Sequence, residues 1–343
     1  MSVPKFSQPA QSFHAELKKR VFSYFDQLGT RSTGNVHLFT KAILLSVVFV
    51  FVYIHLVFFT PSVFWAVLES VMLGGLVAAI GFNVMHDGAH GSFSKYKWVN
   101  VLAAYSLNIL GGSSFMWNMK HNVIHHAYTN VDGVDDDIDI QPWLRMSSTQ
   151  KHYFMHRYQH LYFWVLYAML YIFWIFVLDY QKYFRSRIGA MPLKKMSLHD
   201  HLIFWGFKML HLFLFIVLPI YMVGFQYWLV GFLVSTLVAG FVLSIVFQLA
   251  HTVEHTAFPV PNADTNKLED EWAIHQIKTT ANFATRNKLL SWLVGGLNFQ
   301  LEHHLFPKIS HVHYPALSKI IRQTCEEFGI QYIEYPRMRY AVA

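Results

Sequence analysis

The sequence predicts an all-α integral membrane protein: four transmembrane helices in two hairpins plus an interfacial helix, with a cytoplasmic helical cap holding a metal site. Three observations lead there. Of the 343 residues, 54% are hydrophobic and only 14% charged, whereas a soluble domain carries about a quarter charged residues. The long apolar runs pair up across breaks of three residues, Thr60-Pro61-Ser62 and Gly224-Phe225-Gln226. Nine histidines gather in four clusters, most of them where such runs end.

Taken in order, residues 1–40 form a polar lead-in with Lys18-Lys19-Arg20 and Arg31, and residues 41–343 a membrane domain with its cap. No short apolar core with a small-residue cleavage site opens the chain, so no secretory signal is read. The 18-residue run Ala42–Phe59 carries no charge, and Val63–Met85 is interrupted only by Glu69. Each is long enough to span a bilayer, which takes about 20 apolar residues. The basic residues before them place the N-terminus in the cytoplasm. Trp98–Met119 is apolar but holds Asn100, Asn108, Gly111-Gly112 and Ser113-Ser114. A crossing there would put the first two histidine clusters on opposite faces, so a shared site requires it to stay on one side.

Three apolar segments follow: Leu161–Leu178, Leu202–Val223 and Tyr227–Ala250. To bring His251 back to the face of His126, an even number of them must cross. Lys182, Arg185, Arg187, Lys194 and Lys195 lie between the first and second and belong in the cytoplasm. Leu161–Leu178, rich in Tyr and Trp, is placed in the interface and the last two as the second hairpin; the rival is that Leu161–Leu178 spans and Leu202–Val223, with Lys208, His211 and Pro219, does not. Beyond Thr252 the chain is more polar and forms the cap. The excess charge of +7 suits basic loops beside an anionic leaflet. It is scattered and accompanied by no nucleic-acid motif, so no nucleic-acid partner is expected. The single cysteine, Cys325, excludes an internal disulfide and a cysteine-built metal site.

The clusters are His86-Asp87-Gly88-Ala89-His90, His121-Asn122-Val123-Ile124-His125-His126, His251-Thr252-Val253-Glu254-His255 and Glu302-His303-His304. On a helix, positions four apart share a face. His121 and His125 can then serve one metal, while His126, about 100° round, reaches a second. Imidazole suits iron, zinc, copper and nickel alike. Nine histidines exceed one four-coordinate site, so two metals are expected. Asp87, Glu254 and Glu302 can orient the imidazoles or simply cap helices. His275, Gln276, Asn298 and Gln300 are candidates to line the site. His152, His156 and His160 repeat at the same spacing but are read as structural. His55 and His211 are read as packing residues, and His199, His201, His311 and His313 as surface ones.

HDGAH, HNVIHH and QLEHH together resemble the three histidine boxes of the membrane fatty acid desaturases. The phrase Gly295-Gly296-Leu297-Asn298-Phe299-Gln300-Leu301-Glu302-His303-His304-Leu305-Phe306-Pro307 resembles the subgroup whose third box begins with Gln. That subgroup is rich in front-end enzymes, which place a double bond between an existing one and the carboxyl end. The resemblance covers roughly residues 40 to 335. It implies two iron ions at a cytoplasmic centre, dioxygen as co-substrate, and a fatty acyl substrate carried as acyl-CoA or membrane lipid. As ligands it implies His86, His90, His121, His125, His126, His303 and His304, with His255 a further one and His251 at a position where some relatives have Asn. No His-Pro-Gly-Gly haem signature occurs, so electrons are expected from a separate ferredoxin or b-type cytochrome. A lipid hydroxylase on the same scaffold shares the first hydrogen removal. A histidine-lined metal transporter would spread its ligands through the bilayer depth, whereas these gather at helix ends and in a polar cap.

Overall fold

In the computed structural model, which describes residues 3–9 and 11–342, the chain is mostly helical, and its strands are two-residue pairs. The first helix, α1 (Phe13–Leu28), forms because Phe13, Leu17, Val21 and Phe25 repeat every four residues and bury one face. Ser12 caps its start by accepting the Ala15 N–H, and Gly29 ends it in the left-handed region. Its buried face packs with Ala273, Ile277, Leu301, Leu305, Leu317 and Ile321. The N-terminal lead-in thus shares a core with the helix of the last histidine cluster.

Five helices among the described residues are long and apolar enough to cross a membrane. They are α2 (Val36–Phe59), α3 (Val63–His90), α6 (Phe154–Arg185), α7 (Leu198–Val223) and α8 (Phe225–His251). All but α3 begin earlier than their apolar runs do. Asn35 accepts the His37 and Leu38 amides and starts α2 well before Ala42, and a Ser197–Asp200 capping box starts α7 before Leu202. Polar first turns of this kind carry no hydropathy signal. Thr60 turns the α2–α3 hairpin with φ 46°, and Gly224 turns α7 into α8 with φ 85°.

Helix α8 lies against both α3 and α6. A side chain at Gly74 would strike the Ser235 carbonyl, and one at Gly240 the Ala168 carbonyl, so glycine lets these backbones touch. Between α3 and α6 the chain makes a short excursion. Helix α4 (Lys97–Ile109) has 13 residues, about 20 Å at 1.5 Å per residue, which is too short to span. It packs on the first cluster through Gly88, whose missing Cβ would stand 2.6 Å from Ala103 Cβ. Gly111, at φ 95°, turns the chain back into α5 (114–128).

Both ends of α6 are tied to one acidic loop, 132–145. Gln159 exchanges bonds with the Arg145 backbone at 3.1 and 3.2 Å, and Tyr162 donates to the Trp143 carbonyl at 2.8 Å. At the far end Lys182 pairs with Asp136 at 3.2 Å. The cap then follows: α9 (Trp272–Lys278), α10 (Lys288–Leu293), α11 (Gln300–Leu305) and α12 (Tyr314–Glu327).

Candidate metal centre

The C-terminal ends of α3 and α8, the helix α5 and the short helix α11 converge at the site. The first cluster follows a π-helical turn, Gly81–Met85, and the second lies within one, Asn118–His125 in α5. Such turns are frequent at functional sites. The wider turn changes which histidines meet. The His126 N–H bonds the His121 carbonyl, five residues back, and the two Nε2 atoms stand 3.2 Å apart. His125 swings to the other side. A regular helix had suggested the opposite division, His126 reaching the second metal.

Eight imidazoles form two overlapping sets. His86, His90, His121 and His303 make the first; His125, His251 and His304 make the second. His126 sits between them, its ring 4.6 Å from His303 and 4.4 Å from His304. Within each set the nitrogens lie within 4.8 Å of one another, and every ring is buried. Nε2 of His86, His90, His125, His251, His303 and His304, and Nδ1 of His126, have no hydrogen-bond partner in the protein. Buried polar groups are nearly always paired, so the six orphaned nitrogens that belong to the two sets fit metal ions. Soft or sulfur ligands are absent from the two sets, which suits iron, zinc, copper or nickel.

The opposite ring nitrogens are held. His125 Nδ1 donates to Asp135 at 3.0 Å, His304 Nδ1 to Gln276 Oε1 at 2.8 Å, and His251 Nδ1 to the Thr279 carbonyl at 3.3 Å. His303 Nδ1 stands 3.1 Å from the Tyr314 hydroxyl. Bonds of this kind fix the tautomer and aim the free nitrogen at a metal. Burial and then the neighbouring imidazoles push His121, His126, His303 and His304 well below 6.5, so they are neutral and ready to ligate near pH 7. Burial also opposes charge on His125, but Asp135 and Asp137 outweigh it and raise that group.

Several sequence expectations change. His255 is exposed, with φ 74°, and lies outside both sets. Helix α8 ends at His251, so the four-residue spacing no longer defines a common face. His251 stands in the set instead. None of the three in-cluster carboxylates orients an imidazole of the two sets. Asp87 accepts from Ser310 Oγ at 2.7 Å and pairs with His311 Nδ1 at 3.0 Å. His311, expected at the surface, is buried and also meets Lys41 Nζ at 3.0 Å. Glu302 accepts from Asn282 and Tyr332, both at 2.8 Å, and burial pushes it up to about 7. Glu254 is exposed and uses only its backbone carbonyl, toward Tyr335.

Of the expected lining residues, Gln276 touches His304 directly. His275 is buried against Phe6, centroids 5.3 Å apart. Asn298 Nδ2 bonds Ser291 Oγ at 2.9 Å and the Ala284 carbonyl. Gln300 is buried with its Nε2 unpaired. His156 is a structural residue, bonded to the Tyr153 N–H and the Pro142 carbonyl. Asp135 and Tyr314 were not singled out in the sequence. The only signal for Asp135 was an acidic run that follows HNVIHH.

Residues 62–336 match the fatty acid desaturase family. The chain is 37% identical to the sn-1 linoleoyl-lipid 6-desaturase of Arthrospira platensis, covering 93% of this chain and 87% of that one. It is 37% identical to the enzyme of the same name from Synechocystis sp., covering 99% and 94%. With the acyl-lipid (8-3)-desaturase of Physcomitrium patens it shares 36% identity over 95% of this chain and 68% of the relative. With the boxes, their buried convergence and these matches in place, the chain belongs to the fatty acid desaturase family.

Proposed function

We propose that this chain is a front-end acyl-lipid desaturase with two iron ions at the histidine centre. The observation that carries the reading is the convergence of eight buried imidazoles, six of them with an unpaired Nε2. Iron held there would supply the activation of dioxygen. Overall, adjacent methylenes, dioxygen, two electrons and two protons give a double bond and two waters. The chain's own residues prepare the site. Asp135, Gln276, Tyr314 and the Thr279 carbonyl hold the ring orientations. Burial keeps bulk water from the centre, and no side-chain acid–base pair is needed.

The membrane reading is four crossings, α2, α3, α7 and α8, with α6 at the cytoplasmic interface. If α6 crossed, the loop that ties both its ends would have to carry Asp136 and Asp137 through hydrocarbon, where charges are costly. Both termini and the cap then face the cytoplasm. Front-end selectivity is supported by Gln300 at the head of the last box and by relatives named for 6-desaturation of linoleoyl lipid.

Linoleate supplied to a host expressing this chain should gain a double bond on its carboxyl side. Gas chromatography with mass spectrometry of derivatised fatty acids locates it. A new bond only toward the methyl end, or only in saturated chains, removes the front-end reading. An iron-loaded protein that leaves every fatty acid unchanged removes the desaturase reading.

A further inference from the structure

The reaction needs two electrons from outside, and the centre is buried, so the chain must offer a route from its wet surface. The bilayer side cannot serve a water-soluble carrier. Aromatic rings packed on the centre include Trp117 of α5, stacked on His121 at 4.4 Å, and Tyr314 of the cap beside His303. Both are buried.

Trp272 is different. It opens α9, is partly exposed, and its indole N–H donates to the His126 carbonyl at 3.0 Å. His126 is the residue whose ring stands between the two sets. One hydrogen bond and then covalent bonds alone connect the indole to that imidazole. The outer side of Trp272 is also arranged. The His14 ring lies 5.0 Å from it and is itself partly exposed. Glu271, the preceding residue, accepts from Ser12 Oγ at 2.8 Å and from the His14 N–H at 2.9 Å. That clamp holds the start of α1 over Trp272.

We propose that Trp272, approached past His14, is where electrons enter the centre from a one-electron carrier protein, with His126 receiving them for either metal. Two reduced carriers each give up one electron in turn and leave oxidised; the metal centre gains both, and the protons come from water. The proposal rests on the desaturase reading, which requires an external donor.

The test uses the full-length, iron-loaded protein in detergent. Reduced [2Fe–2S] ferredoxin and reduced soluble b-type cytochrome are mixed with it, and the one that oxidises faster is kept. Its oxidation is followed by stopped-flow absorbance in wild type, Trp272→Phe and His14→Ala. Trp272→Phe keeps a ring but loses the N–H donor. Its electron transfer should slow by about tenfold, the lower end of what losing an outer partner of a metal site costs. Its iron content and its reduction by dithionite should match wild type. In the metal-free protein, a photo-crosslinker attached to the His14→Cys variant should capture the carrier. Wild-type transfer rates in Trp272→Phe, or equal slowing with dithionite, overturn the proposal. So does failure of the crosslinker at position 14 to capture the carrier. A wild-type protein that accepts electrons from neither carrier nor dithionite speaks against the desaturase reading instead.

Discussion

At the scale of single residues, two histidines with similar credentials part company. His251 and His255 share a cluster in sequence, yet one closes the second set and the other is exposed. Replacing His251 by Ala should lower bound iron and abolish desaturation, because a methyl group fills no coordination position. His255→Ala should keep both. Iron per protein, measured by mass spectrometry of purified variants, decides; iron loss in His255→Ala would mean that the loop after α8 folds over the site. His275 gives a pH prediction. Burial, partly offset by the Thr129 backbone, lowers it from 6.5 to about 4. The unfolded chain takes a proton there below about 6.5 while the folded chain does not, so stability falls as pH drops from 6.5 toward 4. Thermal unfolding across that range should show a shallower decline in His275→Gln. An unchanged slope would rule this titration out.

At the scale of elements, the joint between the last box and the first depends on one glycine. Gly295 has φ 60°, and a Cβ there would stand 2.5 Å from the Phe82 carbonyl, in the π turn that precedes His86. Left-handed backbone costs an L-residue about 1–2 kcal/mol, and the clash adds displacement of α11. Gly295→Ala should therefore lose iron. Gly329, at φ 67° with open space around it, is the control: Gly329→Ala bears the backbone cost alone and should retain iron. Equal iron in both variants would show that the close approach does not set the site. The elements also explain why part of the site was legible. HDGAH, HNVIHH and QLEHH stand out by residue type and spacing. Asp135 and Tyr314 do not, because an acidic loop residue and a cap tyrosine look ordinary until folding sets them beside an imidazole.

At the scale of the whole molecule, the arrangement of crossings is the open choice. Five helices among the described residues have the length and hydropathy to span, and four crossings keep all histidine clusters on one face. Single cysteines at Ser62 and Gly224, at the two hairpin turns, should react with an impermeant maleimide from outside the cell. One at Ser197, between the basic stretch and α7, should react only after permeabilisation. External labelling at Ser197 would place α6 across the membrane.

The sequence alone determined the helical class with its long apolar helices, and it picked out seven box histidines that the fold brings together, because hydropathy and residue type are local properties. It also located the excursion around Trp98–Met119, since a shared site forbids a crossing there. Only the tertiary structure decided the division into two sets, the exchange of His255 for His251, and the partners of Asp87 and His311. The reason is physical: a π turn changes the angular step between residues, a helix end cancels the meaning of spacing, and burial of a polar side chain depends on which distant element covers it.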